Sequence, residues 1–77
     1  MVIEYFFISR IGRFRIKLRS DGRWEAMFED EGLGSYNAPE RALDDLANGH
    51  TYTPSCGDAT EFGLPDDISD WTPILAR

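Results

Sequence analysis

Apolar and cationic residues alternate without a break through Gly12-Arg13-Phe14-Arg15-Ile16-Lys17-Leu18-Arg19. A period of two puts Phe14, Ile16 and Leu18 on one face of an extended strand and Arg13, Arg15, Lys17 and Arg19 on the other. Aromatic and β-branched residues also fill the segments on either side, so strands are predicted over 2–9, 13–19 and 23–29, forming an antiparallel meander. The two turns, Arg10-Ile11-Gly12 and Ser20-Asp21-Gly22, each carry glycine at the third loop position. Three-residue hairpin loops commonly end on a left-handed residue, which glycine supplies without steric cost.

That loop length fixes a register. In the second hairpin Leu18 faces Trp24, Ile16 faces Ala26 and Phe14 faces Phe28, with Lys17 opposite Glu25 on the reverse face. A two-residue loop would pair Leu18 with Glu25 and carry charge into the core. The same rule applied to the first hairpin sets Ile8 opposite Phe14 and Phe6 opposite Ile16. The expected apolar face then holds Phe6, Ile8, Phe14, Ile16, Leu18, Trp24, Ala26 and Phe28. The expected mixed face holds Tyr5, Phe7, Arg13, Arg15, Lys17, Arg19, Glu25, Met27 and Glu29.

After a loop over 30–36 the spacing predicts a helix over 37–49. Asn37 is the expected N-cap, Glu40 lies three residues on, and Pro39 sits in the first turn, where a missing N–H costs little. Ala42, Leu43, Leu46 and Ala47 form one apolar stripe, Arg41 and Asp45 are spaced to pair, and Asn48-Gly49 supplies the stop. So short a helix must dock on the apolar sheet face to be stable. Residues 50–77 hold three of the four prolines but also Tyr52, Phe62, Leu64, Ile68 and Trp71. They read as an ordered tail that wraps the domain, with a short strand at Thr51–Thr53 or a helical turn near Ile68. The expected architecture is a single α+β domain over 1–77: a three-stranded antiparallel meander, one helix on its apolar face and a C-terminal wrapping segment.

Composition narrows the chemistry. At 77 residues with one cysteine and one histidine, the chain has no internal disulfide and no set of zinc ligands, so no cofactor or metal is expected. No apolar run approaches the roughly 20 residues of a membrane span, the start contains Glu4 and no basic leader, and a reduced cytoplasmic setting follows. The net charge of -6 disfavours a general nucleic-acid binder. Yet six of the eight basic residues lie between Arg10 and Arg23, while nearly all the acids follow Trp24.

Two stretches carry resemblances. Arg23-Trp24-Glu25-Ala26-Met27-Phe28 with Leu33-Gly34-Ser35-Tyr36 and Pro39-Glu40-Arg41-Ala42 is similar to the last-strand-to-helix segment of AP2-like and integrase arm-type DNA-binding domains. Those lay a three-stranded sheet in the major groove; here Glu25 and Glu29 fall on the face that would meet phosphate. Gly49-His50-Thr51-Tyr52-Thr53-Pro54-Ser55 with Gly63-Leu64-Pro65-Asp66-Asp67-Ile68-Ser69-Asp70-Trp71 resembles a family of small bacterial proteins. This second likeness implies a bacterial, cytoplasmic origin and transfers no catalytic residue.

The surface singled out for function is the mixed face, with Tyr5, Phe7, Arg13, Arg15, Lys17 and Arg19 as candidate binding residues. Three occupants fit: an unknown protein partner or a second copy; nucleic acid, with the aromatics stacking bases and the cations neutralising phosphates; or the chain's own tail, where Asp58, Glu61, Asp66, Asp67 and Asp70 supply counter-charge and Phe62 and Trp71 supply cover. The leading expectation is a non-catalytic interaction or self-association module. A remote alternative is an enzyme built on Cys56 and His50, with Asp58 orienting the imidazole. The acids Asp44, Asp45, Asp66, Asp67 and Asp70 lack the spacing of a calcium loop and read as a solvated surface.

Overall fold

The computed structural model describes residues 1–51 and 63–76. Five strands form one antiparallel sheet: β1 (Val2–Ser9), β2 (Gly12–Leu18), β3 (Trp24–Phe28), β4 (Glu31–Tyr36) and β5 (Thr72–Leu75). Their order is β4-β3-β2-β1-β5, with β2 in the middle. One α-helix, α1 (Pro39–Ala47), lies on one face, and a 3-10 turn at Ile68–Asp70 precedes β5. The α+β class and the three consecutive antiparallel strands β1–β3 are as the hydrophobic pattern predicts, but the expected loop over 30–36 is largely β4, so a fourth strand precedes the helix. The three-stranded meander understates the sheet by its two edge strands.

The second hairpin has the expected register, with Leu18 opposite Trp24, Ile16 opposite Ala26 and Phe14 opposite Phe28. Gly22 takes φ +84, and the Arg19 N–H donates to the Arg23 carbonyl at 2.7 Å to close the loop. The first hairpin differs by one residue. Its loop is Arg10-Ile11 alone, Ser9 already pairs with Gly12, and Phe7 rather than Ile8 faces Phe14. A one-residue slip turns every β1 side chain over. The expected register would have set Glu4 opposite Leu18 on the apolar face, an expensive place for an unpaired carboxylate. The observed one sets Glu4 opposite Lys17 and moves Tyr5 and Phe7 toward the helix.

The core lies between the sheet and α1. Phe14, Ile16, Ala26, Leu33, Ala42, Leu43, Leu46 and Trp71 are essentially inaccessible to water, and the Phe28 ring packs tilted against Phe14 with centroids 5.0 Å apart. Ala42, Leu43 and Leu46 are the buried stripe of the helix. The helix begins one residue later than expected. Ala38 holds the N-cap position without a side-chain cap, because the Asn37 side-chain oxygen accepts from Arg23 Nη1 at 2.8 Å instead. The Asn48-Gly49 stop is present: Gly49 takes φ +75 and the His50 N–H closes onto the Asp45 carbonyl at 2.8 Å. Asp45 pairs with His50 and with the Tyr36 hydroxyl rather than with Arg41.

Both edge strands are unconventional in sequence. In β4, Leu33 is the extra residue of a bulge between two glycines and plugs the core. In β5, the Ala76 N–H donates inward to the Met1 carbonyl at 2.8 Å. Alternation then turns Pro73, which has no N–H, toward the free edge, where a proline blunts the strand against further pairing. The tail reaches that edge through Trp71. Its ring packs on Phe7 with centroids 5.8 Å apart, and its indole N–H donates to the Pro65 carbonyl at 3.0 Å. The expected turn near Ile68 is the 3-10 turn. Thr51 lies outside any strand, and the rest of the expected 51–53 strand lies outside the described residues.

Candidate functional site

The face of the sheet opposite α1 carries β2's cations and their neighbours. Arg13, Arg15 and Lys17 project from the central strand, opposite Ile8, Phe6 and Glu4 on β1, while Met27 and Glu25 of β3 oppose Arg15 and Lys17. Tyr5 and Phe7, expected here, belong to the other face. Tyr5 packs at 5.9 Å on Trp24 and Phe7 on Trp71. Phe6 and Ile8 take their places as the apolar component, Ile8 being 58% exposed.

The cations are largely answered within the chain. Arg15 Nη2 and Nε lie 2.8 and 3.2 Å from the same Glu4 oxygen, Nη1 donates to the Glu29 carbonyl at 3.2 Å, and Asp30 stands 3.6 Å away. The hydrogen bond to Glu4 is the chief reason that the guanidinium holds its proton even more tightly than usual. Glu4 is only 7% exposed, so this is a shielded pair rather than a surface one. Arg13 lies over Phe6 with its guanidinium carbon 4.7 Å from the ring centroid, a cation–π contact. The Arg13 backbone N–H donates to Glu29 Oε1 at 2.9 Å. Glu29 follows β3 with φ +53, and Gly12 beside it has no room for a side chain: a Cβ there would stand 2.7 Å from that same carboxylate. Arg19 pairs with Asp21 at 3.3 Å in the turn, both partly exposed.

Arg23 is a residue the sequence pattern did not single out. Its guanidinium donates to Ser35 Oγ (3.2 Å), the Ser35 carbonyl (3.0 Å) and Asn37, tying the edge strand β4 to the start of α1. Nothing in the local sequence signals it, because its partners lie 12 and 14 residues away. Glu4 was legible in principle, since the expected first-hairpin register left it unpaired on an apolar face.

The tail does not cover this surface with its described residues. Trp71 and Ile68 join the core on the helix side, Asp66, Asp67 and Asp70 are exposed, and the described ion pairs of the open face use only Glu4 and Asp30. Asp67 caps the 3-10 turn, and the Ser69 N–H and hydroxyl it accepts hold its carboxyl below the usual range. Asp58, Glu61 and Phe62 lie outside the described residues. So does Cys56, whereas its expected partner His50 is exposed with Nδ1 4.0 Å from Asp45. Among the described residues, no three His, Cys, Asp or Glu side chains are grouped to hold a metal, and no helix is long and apolar enough to cross a membrane. Compared with protein-family models, curated proteins and solved structures, the chain matches none.

Proposed function

We propose that this chain is a non-catalytic protein-interaction module that associates with its own kind through the open face of its sheet. The observation that carries the reading is the composition of that face. Among the described residues no helix lies over it, it exposes Ile8 beside half-buried Phe6 and Met27, and it interleaves Glu4 and Glu25 with Arg13, Arg15 and Lys17. A two-fold interface requires one patch to complement itself, and a face bearing both signs with apolar ground between them meets that requirement. A phosphate backbone would meet Glu4 and Glu25 on the same surface and would have to compete for Arg15 with Glu4 and for Arg19 with Asp21.

The test is association state, by sedimentation equilibrium over a dilution series of the whole chain. Ile8→Glu is expected to shift the population toward monomer while the thermal midpoint stays near the parent's, since Ile8 is exposed. Equal association of parent and variant overturns the reading. So does a low-salt titration with short mixed DNA or RNA in which the amide signals of Phe6–Ile8 and Arg13–Lys17 move and salt reverses the change.

A further inference from the structure

Lys17 and Glu25 face one another across β2 and β3, yet they differ from every other charge near them. Among the described residues neither side chain takes part in an ion pair or a hydrogen bond, while Arg13 lies over Phe6 and the Arg15, Arg19 and Arg23 side chains are all paired. The reason is visible in β4. Glu25 leans away from β2 and over Gly32, its Oε2 lying 2.5 Å from where a Cβ on that glycine would stand. A glycine in the edge strand thus seats a carboxylate that its own cross-strand lysine does not reach. The exposed Lys17 is left beside it.

Resting on the self-association reading above, we propose that these two residues are the register-setting contacts between two copies, stacked face to face about a two-fold axis that runs along the strands between β2 and β3. Such an axis lays β2 of one copy over β3 of the other without shifting residues along the strand. Cross-strand neighbours within one sheet therefore become stacked neighbours between sheets. Lys17 meets Glu25 of the second copy, Glu25 meets its Lys17, and the Arg15 stem crosses Met27. Face-to-face sheets keep their strands within about 30° of one another, so residues near the axis stay in reach. An axis between β1 and β2 would instead set Lys17 over Glu4, which is 7% exposed and already occupied by Arg15.

The geometry makes a charge-swap prediction that a merely structural role would not. Lys17→Glu alone and Glu25→Lys alone each place like charges in both contacts of a pair, so each variant is expected to self-associate about tenfold or more weakly than the parent. Mixed in equal amounts the two variants are complementary, and a mixed pair should form with near-parental affinity, read by native mass spectrometry. The double variant on one chain should also pair with itself. Thermal midpoints of each variant, measured separately, detect any cost to the fold, and the mixed pair stays decisive because each chain keeps its own internal like-charge contact. If the parent associates, Ile8→Glu abolishes it, and the mixture nevertheless fails to pair, the axis is wrong while the function reading stands. If the parent is monomeric throughout, both fall.

Discussion

The two faces of this sheet are built by the same strands with the same alternation, and they are held together by different physics. On the helix side, Phe14 and Ile16 of β2 are wholly excluded from water beneath α1. One residue away, Arg13 and Lys17 of the same strand stand exposed. Burying a phenylalanine or isoleucine contributes about 1.5–3 kcal/mol each. An exposed ion pair such as Arg19–Asp21 contributes about 0–1 kcal/mol. Stability therefore resides on the closed face, and the open face is free to carry charge whose arrangement serves contact rather than folding. Shielded Glu4–Arg15 is the place where that division is least clean.

The sharpest way to break the contrast is to truncate one aromatic on each side. Phe14→Ala removes a fully buried ring that packs against Phe28, and the expected cost is about 3–5 kcal/mol. A domain this small has little more than that to lose, so urea titration at room temperature should find it largely unfolded. Phe6→Ala on the open face gives up a half-buried ring and the contact under Arg13, and about 1 kcal/mol is expected. Equal losses at the two positions would mean that the open face is a second core.

Glu4 tests the exception. Glu4→Gln leaves Arg15 shielded without its countercharge, and about 2–3 kcal/mol should be lost in the same titration. Replacing both partners, as Glu4→Leu with Arg15→Met, should cost clearly less than the two single losses added, because no shielded charge is then stranded. Strict additivity would show that the pair behaves like an ordinary surface bridge.

What could be read ahead of the structure follows the same division. The β2–β3 register was legible because a wrong loop at Asp21-Gly22 would have buried Glu25, so the hydrophobic pattern decided between two loops. The α1 stripe was legible for a similar reason. The first hairpin was not decided by its own loop, since Gly12 can end a three-residue loop or open β2 after the two-residue loop Arg10-Ile11. It is settled by Trp71 receiving Phe7 from far along the chain, and by Arg15 receiving Glu4 across the hairpin itself. Strand β4 was hidden because Gly32, Gly34 and Ser35 read as loop, and only the burial of Leu33 in a bulge makes sense of them. Strand β5 was hidden by Pro73, which is compatible with a strand only at an edge with its nitrogen turned outward. The candidate face holds Arg13, Arg15 and Lys17 of β2 but exchanged its aromatics, because a one-residue slip of β1 turns over that strand's side chains and leaves composition untouched.

The smallest effect probes the seam where the edge strand meets the helix. Tyr36 of β4 is half-buried on the closed side, and its hydroxyl donates to Asp45 of α1. Burial first, then that hydrogen bond and the Asp45 charge, push its ionisation up to about 12. The neutral phenol is thus favoured in the folded protein over the unfolded chain, whose tyrosine titrates near 10. The stability this supplies is complete below about pH 10 and is lost as pH rises from there through about 12. Ultraviolet titration of the folded chain, with Tyr36→Phe to assign the signal, should show a phenolate that appears only near pH 12. Asp45→Asn should lower that value while leaving it above the ordinary one, because burial is the larger cause. A full return to the ordinary value in Asp45→Asn would make the charge, and not the closed face, the reason the seam holds its proton.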